Sequence, residues 1–262
     1  SKCEQMIDRI KFLGTAGGRF AVINQFRKSG GIWLTLDDTN ILVDPGPGSL
    51  VNCRSSRPKL NPKKLDAILL THSHIDHSND INIMIEAMTN GGFDKKGIVF
   101  IPREALEVDN VIMNHFRNHA KKIIFLEEKE NYEVKNISFS IPKRNIHGVE
   151  CYGINFTGEN NSVSLVSDTK FHDDIIEYYD GNILILNVVL LKSVDKIQHL
   201  SIEDAEHIIK KLKPRLTVLT HFGMKVIKAR PWEIAEKMSK KLGSNIIAAR
   251  DGMNLELSDC KN

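Results

Sequence analysis

The sequence predicts an α/β (α+β) protein in which two β-sheets pack together with helices on the outside. Two observations carry this. The first sixty residues alternate short apolar runs with turn residues, and from about residue 163 onward strands and helices alternate regularly. In order, Ile10 to Leu13, Ile32 to Leu36 and Ile41 to Val43 read as strands joined by Gly14–Gly18 and by Asp37-Asp38-Thr39-Asn40. That spacing predicts antiparallel hairpins. Ala67-Ile68-Leu69-Leu70 reads as a buried strand. Ile81, Ile83, Met84, Ile85 and Met88 predict a largely buried helix that Gly91-Gly92 ends. Residues 105–122 predict a further helix, basic through Arg117, Lys121 and Lys122, between strands at Ile98 to Ile101 and Ile123 to Leu126.

The second half predicts strands at 137–141, 163–167, 183–190, 215–220 and 245–249, with helices at 173–179, 202–212 and 231–242. Ser201 and Asp204 form a capping-box pattern with Asp in place of Glu. Pro231 suits a first helical turn, and Gly243 suits a helix stop. No linker or low-complexity tract divides the chain, so one domain over 1–262 is the economical reading.

Composition narrows the functional classes. The apolar fraction of 41% is ordinary for a globular protein, and the longest apolar stretch, Ile183 to Leu191, is interrupted by Asn187 and too short to span a bilayer. No secretory signal is evident, and Cys3, Cys53, Cys151 and Cys260 lack CxxC spacing. Reduced thiols in a cytoplasmic protein are the expectation. A net charge of +3 is too small to indicate nucleic-acid binding, so Arg54, Arg57, Lys59, Lys63 and Lys64 read as a solvated loop.

The chemistry concentrates in His72-Ser73-His74-Ile75-Asp76-His77, directly after a predicted strand. Imidazoles and a carboxylate are the donors divalent zinc prefers. Four donors this close do not all suit one ion: His72 and His74 can project to one point, Asp76 and His77 to a second. His147, Asp168 and His221 each follow a predicted strand, where open sheets place their sites. His115 and His119 stand four apart, but among lysines and Arg117 they read as an exposed face. Gly14–Arg19 lacks the Gly-Lys-Ser/Thr ending of a phosphate loop, and its predicted flanks are strands.

Asp44 in Leu-Val-Asp-Pro-Gly, the 72–77 motif, His147, Asp168 in Val-Ser-Asp-Thr, His221 and the ending Ala249–Met253 together resemble the metallo-β-lactamase-fold hydrolase superfamily. The resemblance implies a four-layer αββα sandwich with two metals at one edge. By position, His72, His74 and His147 would hold the first ion, Asp76, His77 and His221 the second, and Asp168 would bridge them. Asp44 would orient a ligand imidazole. The resemblance further implies a hydroxide between the ions as nucleophile, with zinc the choice and manganese or iron fitting the same donors. Two divalent ions less two aspartates and the hydroxide leave roughly +1, which favours an anionic substrate such as a phosphodiester.

His199-Leu200-Ser201 before a predicted helix is similar to the ribonuclease Z branch and related small phosphodiesterases. There it implies a histidine at the scissile phosphate, aided by the amino end of helix 202–212. Residues 91–146 lack the Gly/Pro-rich arm of ribonuclease Z, so a smaller phosphodiester is as well supported as RNA. Arg19 would lie near the active-site edge. Alternatives are a lactone or thioester hydrolase with the same site, and a non-catalytic metal-binding sensor or scaffold. Relatives are often dimers, so a homodimer is compatible with the sequence.

Overall fold

The computed structural model describes residues 7–260, so Cys3 lies outside the described residues. The strands are β1 (Arg9–Phe12), β2 (Ile32–Leu36), β3 (Thr39–Val43), β4 (Ala67–Leu69), β5 (Ile98–Pro102), β6 (Lys122–Leu126), β7 (Asn131–Val134) and β8 (Ile137–Ser140). They continue with β9 (Ile154–Thr157), β10 (Ser162–Val166), β11 (Ile183–Leu190), β12 (Leu200–Ser201), β13 (Leu216–Thr220), β14 (Ile246–Ala248) and β15 (Asn254–Glu256). One sheet has the order β15-β1-β2-β3-β4-β5-β6 and the other β14-β13-β11-β10-β9-β8-β7, with β12 beside β11. Both sheets are mixed. β1, β2 and β3 are antiparallel, as the hairpin signals predict.

Two periodicities explain the layering. Along β2 and β3, Leu34, Leu36, Ile41 and Val43 face the other sheet and meet Phe139, Ile154, Phe156 and Leu165 in the central core. Trp33 and Leu42, on the opposite face, pack under a helix layer formed by α2 (Ser49–Ser55) and α4 (Ile81–Met88). Behind the second sheet lie α6 (Asp174–Tyr178), α7 (Ile202–Leu212), α8 (Met224–Lys228) and α9 (Pro231–Leu242), on Leu184, Leu186 and Leu219. The layers are therefore helix, sheet, sheet, helix. The remaining helices are the short α1 (Arg19–Asn24), α3 (Ile75–Ser78) and α5 (Arg103–Glu107).

Local signals hold where a cap enforces them. Ser201 Oγ accepts from Asp204 N while Asp204 accepts from Ser201 N, and α9 starts at Pro231 and stops at Gly243, which has φ +61°. The helix expected over 105–122 is not formed. Only α5 and a single 3-10 turn at Asn114–Phe116 are helical there. Asn110 takes φ +50°, breaking the chain direction, and the Arg117 guanidinium is spent on the Ile112 and Leu106 carbonyls. Gly14–Gly18 is followed by α1, not by a strand. Cys53 and Cys151 are buried free thiols, and no described helix is long and apolar enough to cross a membrane.

Candidate metal centre

β3, β4, β5 and β6 run parallel in one sheet, and β10, β11, β13 and β14 run parallel in the other. Their carboxyl ends bring together residues far apart in sequence. His72 follows β4, Asp44 follows β3, Asp168 follows β10 and His221 follows β13. After His72 the chain turns at once into α3, a single helical turn with His74 at its amino cap; His77 N and Ser78 N both donate to the His74 carbonyl. That turn folds Asp76 and His77 back toward His72. Asp44 (φ +55°) and His221 (φ +58°) leave their strands in the left-handed region, which non-glycine residues seldom adopt.

Two donor groups result, one of His72, His74 and His147 and the other of Asp76, His77, Asp168 and His221; within each, the atoms lie within 4.8 Å of one another. His74 Nδ1 is 3.0 Å from His147 Nε2. His77 Nε2 is 3.0 Å from His221 Nε2, 3.1 Å from Asp168 Oδ2 and 3.4 Å from Asp76 Oδ2. Asp168 Oδ2 also lies 3.5 Å from His72 Nε2, placing this carboxylate between the groups. Tetrahedral zinc ligands at ordinary bond lengths stand about 3.3 Å apart, so this spacing fits a cation in each group. His72 Nε2 is buried with no hydrogen-bond partner, a lone pair aimed into the cluster.

The opposite ring nitrogens are held by neighbours that set the tautomers. A carboxylate can only accept, so Asp44 Oδ2 accepts hydrogen bonds from His77 Nδ1 (2.7 Å) and Thr71 Oγ1 (2.7 Å). With its one hydrogen donated toward Asp44, Thr71 Oγ1 accepts from His72 Nδ1 at 2.9 Å. His147 Nδ1 donates to the Gln198 carbonyl at 3.1 Å. In all three rings Nε2 is left to face the cluster. Thr71→Val keeps the shape but removes the relay, and is expected to weaken cation binding by about 10–100-fold. Titration against a chromophoric chelator measures it; unchanged affinity would show that the hydroxyl does not matter.

Charge is balanced within the cluster. Burial would lower the His77 pKa, but Asp76, Asp168 and Asp44 raise it well above the ordinary histidine value. Burial would raise Asp168, yet His221, His77 and His199 hold it well below the usual carboxylate range. Burial pushes His72, His147 and His199 down to about 4, which leaves them neutral with lone pairs available.

The structure brings His72, His74, Asp76, His77, His147, Asp168 and His221 together, with Asp44 and His199 beside them. His199 Nδ1 lies 3.9 Å from Asp168 Oδ2, and its ring centroid lies 5.3 Å from that of His147. The amino end of α7 is a different matter. The Ser201–Asp204 box takes up the Ser201 and Asp204 N–H groups, and Ser193 Oγ donates to Asp204 as well, so a carboxylate already lies at this helix end. His115 is exposed and His119 Nδ1 faces Glu86 Oε2 at 3.4 Å, away from the cluster. Arg19 is exposed at the start of α1.

Sequence reasoning missed Thr71, Gln198 and the purpose of the Gly14–Gly18 turn. That turn clasps His221. Gly17 N donates to the Phe222 carbonyl and Phe222 N to the Thr15 carbonyl, while Asp251 accepts from Thr15 N and Oγ1. A Cβ on Gly17 would stand 2.3 Å from His221 Nδ1. The glycine is there for close approach to this imidazole.

A two-sheet sandwich with such a cluster at one edge defines a metallo-hydrolase class. The chain belongs to the β-lactamase superfamily: residues 39–222 match the family model described as "Beta-lactamase superfamily domain". It is 31% identical to Uncharacterized protein MJ1374 of Methanocaldococcus jannaschii, over 96% of both chains. It is 23% identical to ribonuclease Z of Borreliella burgdorferi, covering 94% of this chain and 96% of that one. That alignment runs over 312 positions, more than the 262 residues here, so the ribonuclease carries insertions this chain lacks. The crystal structure of the metallo-β-lactamase fold protein YhfI from Bacillus subtilis superposes with a TM-score of 0.79 at 20% identity, covering 95% of this chain and 99% of that one.

Proposed function

We propose that this protein is a dinuclear metal-dependent phosphodiesterase, with His72, His74 and His147 holding one ion, Asp76, His77 and His221 the other, and Asp168 bridging. Zinc is the proposed metal, since the donors are imidazoles and carboxylates without a thiolate. Two such ions supply an acidified water and neutralise charge at phosphorus. The chain's own residues do the rest. Asp44 and Thr71 fix imidazole orientation, Asp168 holds the two donor groups together, and His199 acts on the substrate.

The observation that carries the reading is His199. It is close to Asp168 but belongs to neither donor group, so it is free to serve the substrate. With its pKa at about 4 the ring is neutral at pH 7 and offers one N–H to a phosphoryl or leaving oxygen. The similarity to a ribonuclease adds a phosphodiester precedent, while the insertions missing here favour a smaller substrate than transfer RNA. We propose a single catalytic domain in the cytoplasm, taking an anionic phosphodiester.

The test is turnover by the zinc- or manganese-loaded protein of bis(p-nitrophenyl) phosphate, a lactone and a thioester, with wild type beside His199→Ala. The phosphodiester is expected to be the preferred substrate. His199→Ala is expected to lose about 10²-fold or more in kcat with both ions retained. Preference for the lactone or thioester would move the assignment to carbonyl hydrolysis. Two bound ions with no turnover of any ester would favour a metal-binding sensor.

A further inference from the structure

The longest described strand of the protein, β11, contains one polar side chain, and it reaches Asp168. β11 reads Ile-Leu-Ile-Leu-Asn-Val-Val-Leu and lies between β10 and β13, with Asn187 only 6% exposed. An amide in such a place costs stability unless it is hydrogen-bonded. Asn187 Nδ2 donates to Asp168 Oδ1 at 3.1 Å.

The two oxygens of Asp168 have separate surroundings. Oδ2 faces His77 Nε2 at 3.1 Å and His72 Nε2 at 3.5 Å. Oδ1 faces His221 Nδ1 at 3.4 Å, an atom that makes no hydrogen bond, so Asn187 supplies the directed contact on that side. Asn187 also pairs in register with Thr220, the residue before His221. A small cavity of about 30 Å³, lined by Asn187, His77, Asp76 and His221 among others, adjoins this corner. An amide donor suits the task because it is neutral; a lysine or arginine would hold the carboxylate equally but repel a cation.

We propose that Asn187 is a positioning residue that fixes the rotation of the Asp168 carboxylate and so keeps the second cation position, formed with Asp76, His77 and His221, competent to bind. This rests on the two-ion reading given above.

The experiment compares wild type with Asn187→Leu, which keeps roughly the volume and matches the strand, and Asn187→Ala as a second variant in case the first fails to fold. Each is loaded with Zn2+, dialysed against graded chelator and assayed for zinc per chain, with thermal unfolding of the metal-free forms alongside. Wild type is expected to keep two zinc ions. The variants are expected to lose the weaker one at about 10–100-fold lower chelator strength, with the other ion held as in wild type, and to do so beyond what any change in the metal-free unfolding temperature accounts for. Equal loss of both ions, or a lowered metal-free unfolding temperature accounting for the loss, would show a merely structural role and overturn the proposal. Retention of both ions as in wild type would overturn it too. A wild-type protein that binds no zinc would instead sink the two-ion reading itself, so the two failures are distinguishable.

Discussion

Asp168→Asn is expected to lower phosphodiester turnover by at least about 10²–10³-fold, the loss that removing a single pre-organised electrostatic partner already brings. The substitution preserves shape and removes the charge together with one accepting oxygen. Asp168 belongs to the donor group of Asp76, His77 and His221 and also approaches His72 of the other group, so its carboxylate is the charge that lies between them. A second readout is the stability of the metal-free protein. There three carboxylates favour the protonated form of His77, and neutralising one is expected to cost about 1.5–3 kcal/mol.

The sign of the pH dependence follows from the two shifts. The raised His77 pKa contributes stability that is full below about 6.5 and fades as pH rises through its folded value. The lowered Asp168 pKa contributes stability that is full above about 3.9 and fades as pH falls through its folded value. Denaturant unfolding of the metal-free pair should therefore differ most between about pH 4 and 6.5. Undiminished turnover by Asp168→Asn would remove the bridging role.

Gly17→Ala should disable the enzyme through a single methyl group. The added Cβ would lie 2.3 Å from both His221 Nδ1 and the His221 carbonyl oxygen. Neither side can yield cheaply. Asp251, the Phe222 amide and the Phe222 carbonyl pin the glycine turn, and the backbone of His221 is already in the left-handed region. An imidazole displaced by about 1 Å can cost 10²-fold in rate, while the overpacking itself costs about 1–3 kcal/mol of stability. The control is Gly148→Ala, beside His147, where a Cβ would meet only Gln198 Oε1 at 3.9 Å. Kinetics and zinc content of the two variants decide it: equal behaviour would show that the clasp does not position His221.

Much of this was legible in the sequence, for identifiable reasons. The 72–77 motif, Asp168 and His221 are polar donors close behind strongly apolar runs, and such contrast survives without any structure, whereas His147 follows its strand at a distance and His199 was legible only through the resemblance to a family. Strands and helices bounded by caps, such as 202–212 and 231–242, are found where composition places them. The stretch 105–122 is not, because charge content resembled a helix while the backbone is turned at Asn110 and stitched by Arg117 to local carbonyls. Thr71 and Gln198 were invisible because they act through a hydroxyl and a main-chain oxygen, which leave no pattern. At the start of α7 the same Ser and Asp that announce the helix also set a carboxylate beside its first turn, a neighbour the sequence reading did not weigh against a phosphate there.

Each donor group draws on both sheets: His72 and His74 meet His147, and Asp76 and His77 meet Asp168 and His221. The closest pairs across that divide are separated by 73 and 144 residues of chain. An ion in either position would thus be a crosslink closing a long loop, formed only when the two halves of the chain have already come together. Its binding free energy adds to the work of pulling those halves apart, so cation supply would govern how long the protein survives as well as how fast it turns over.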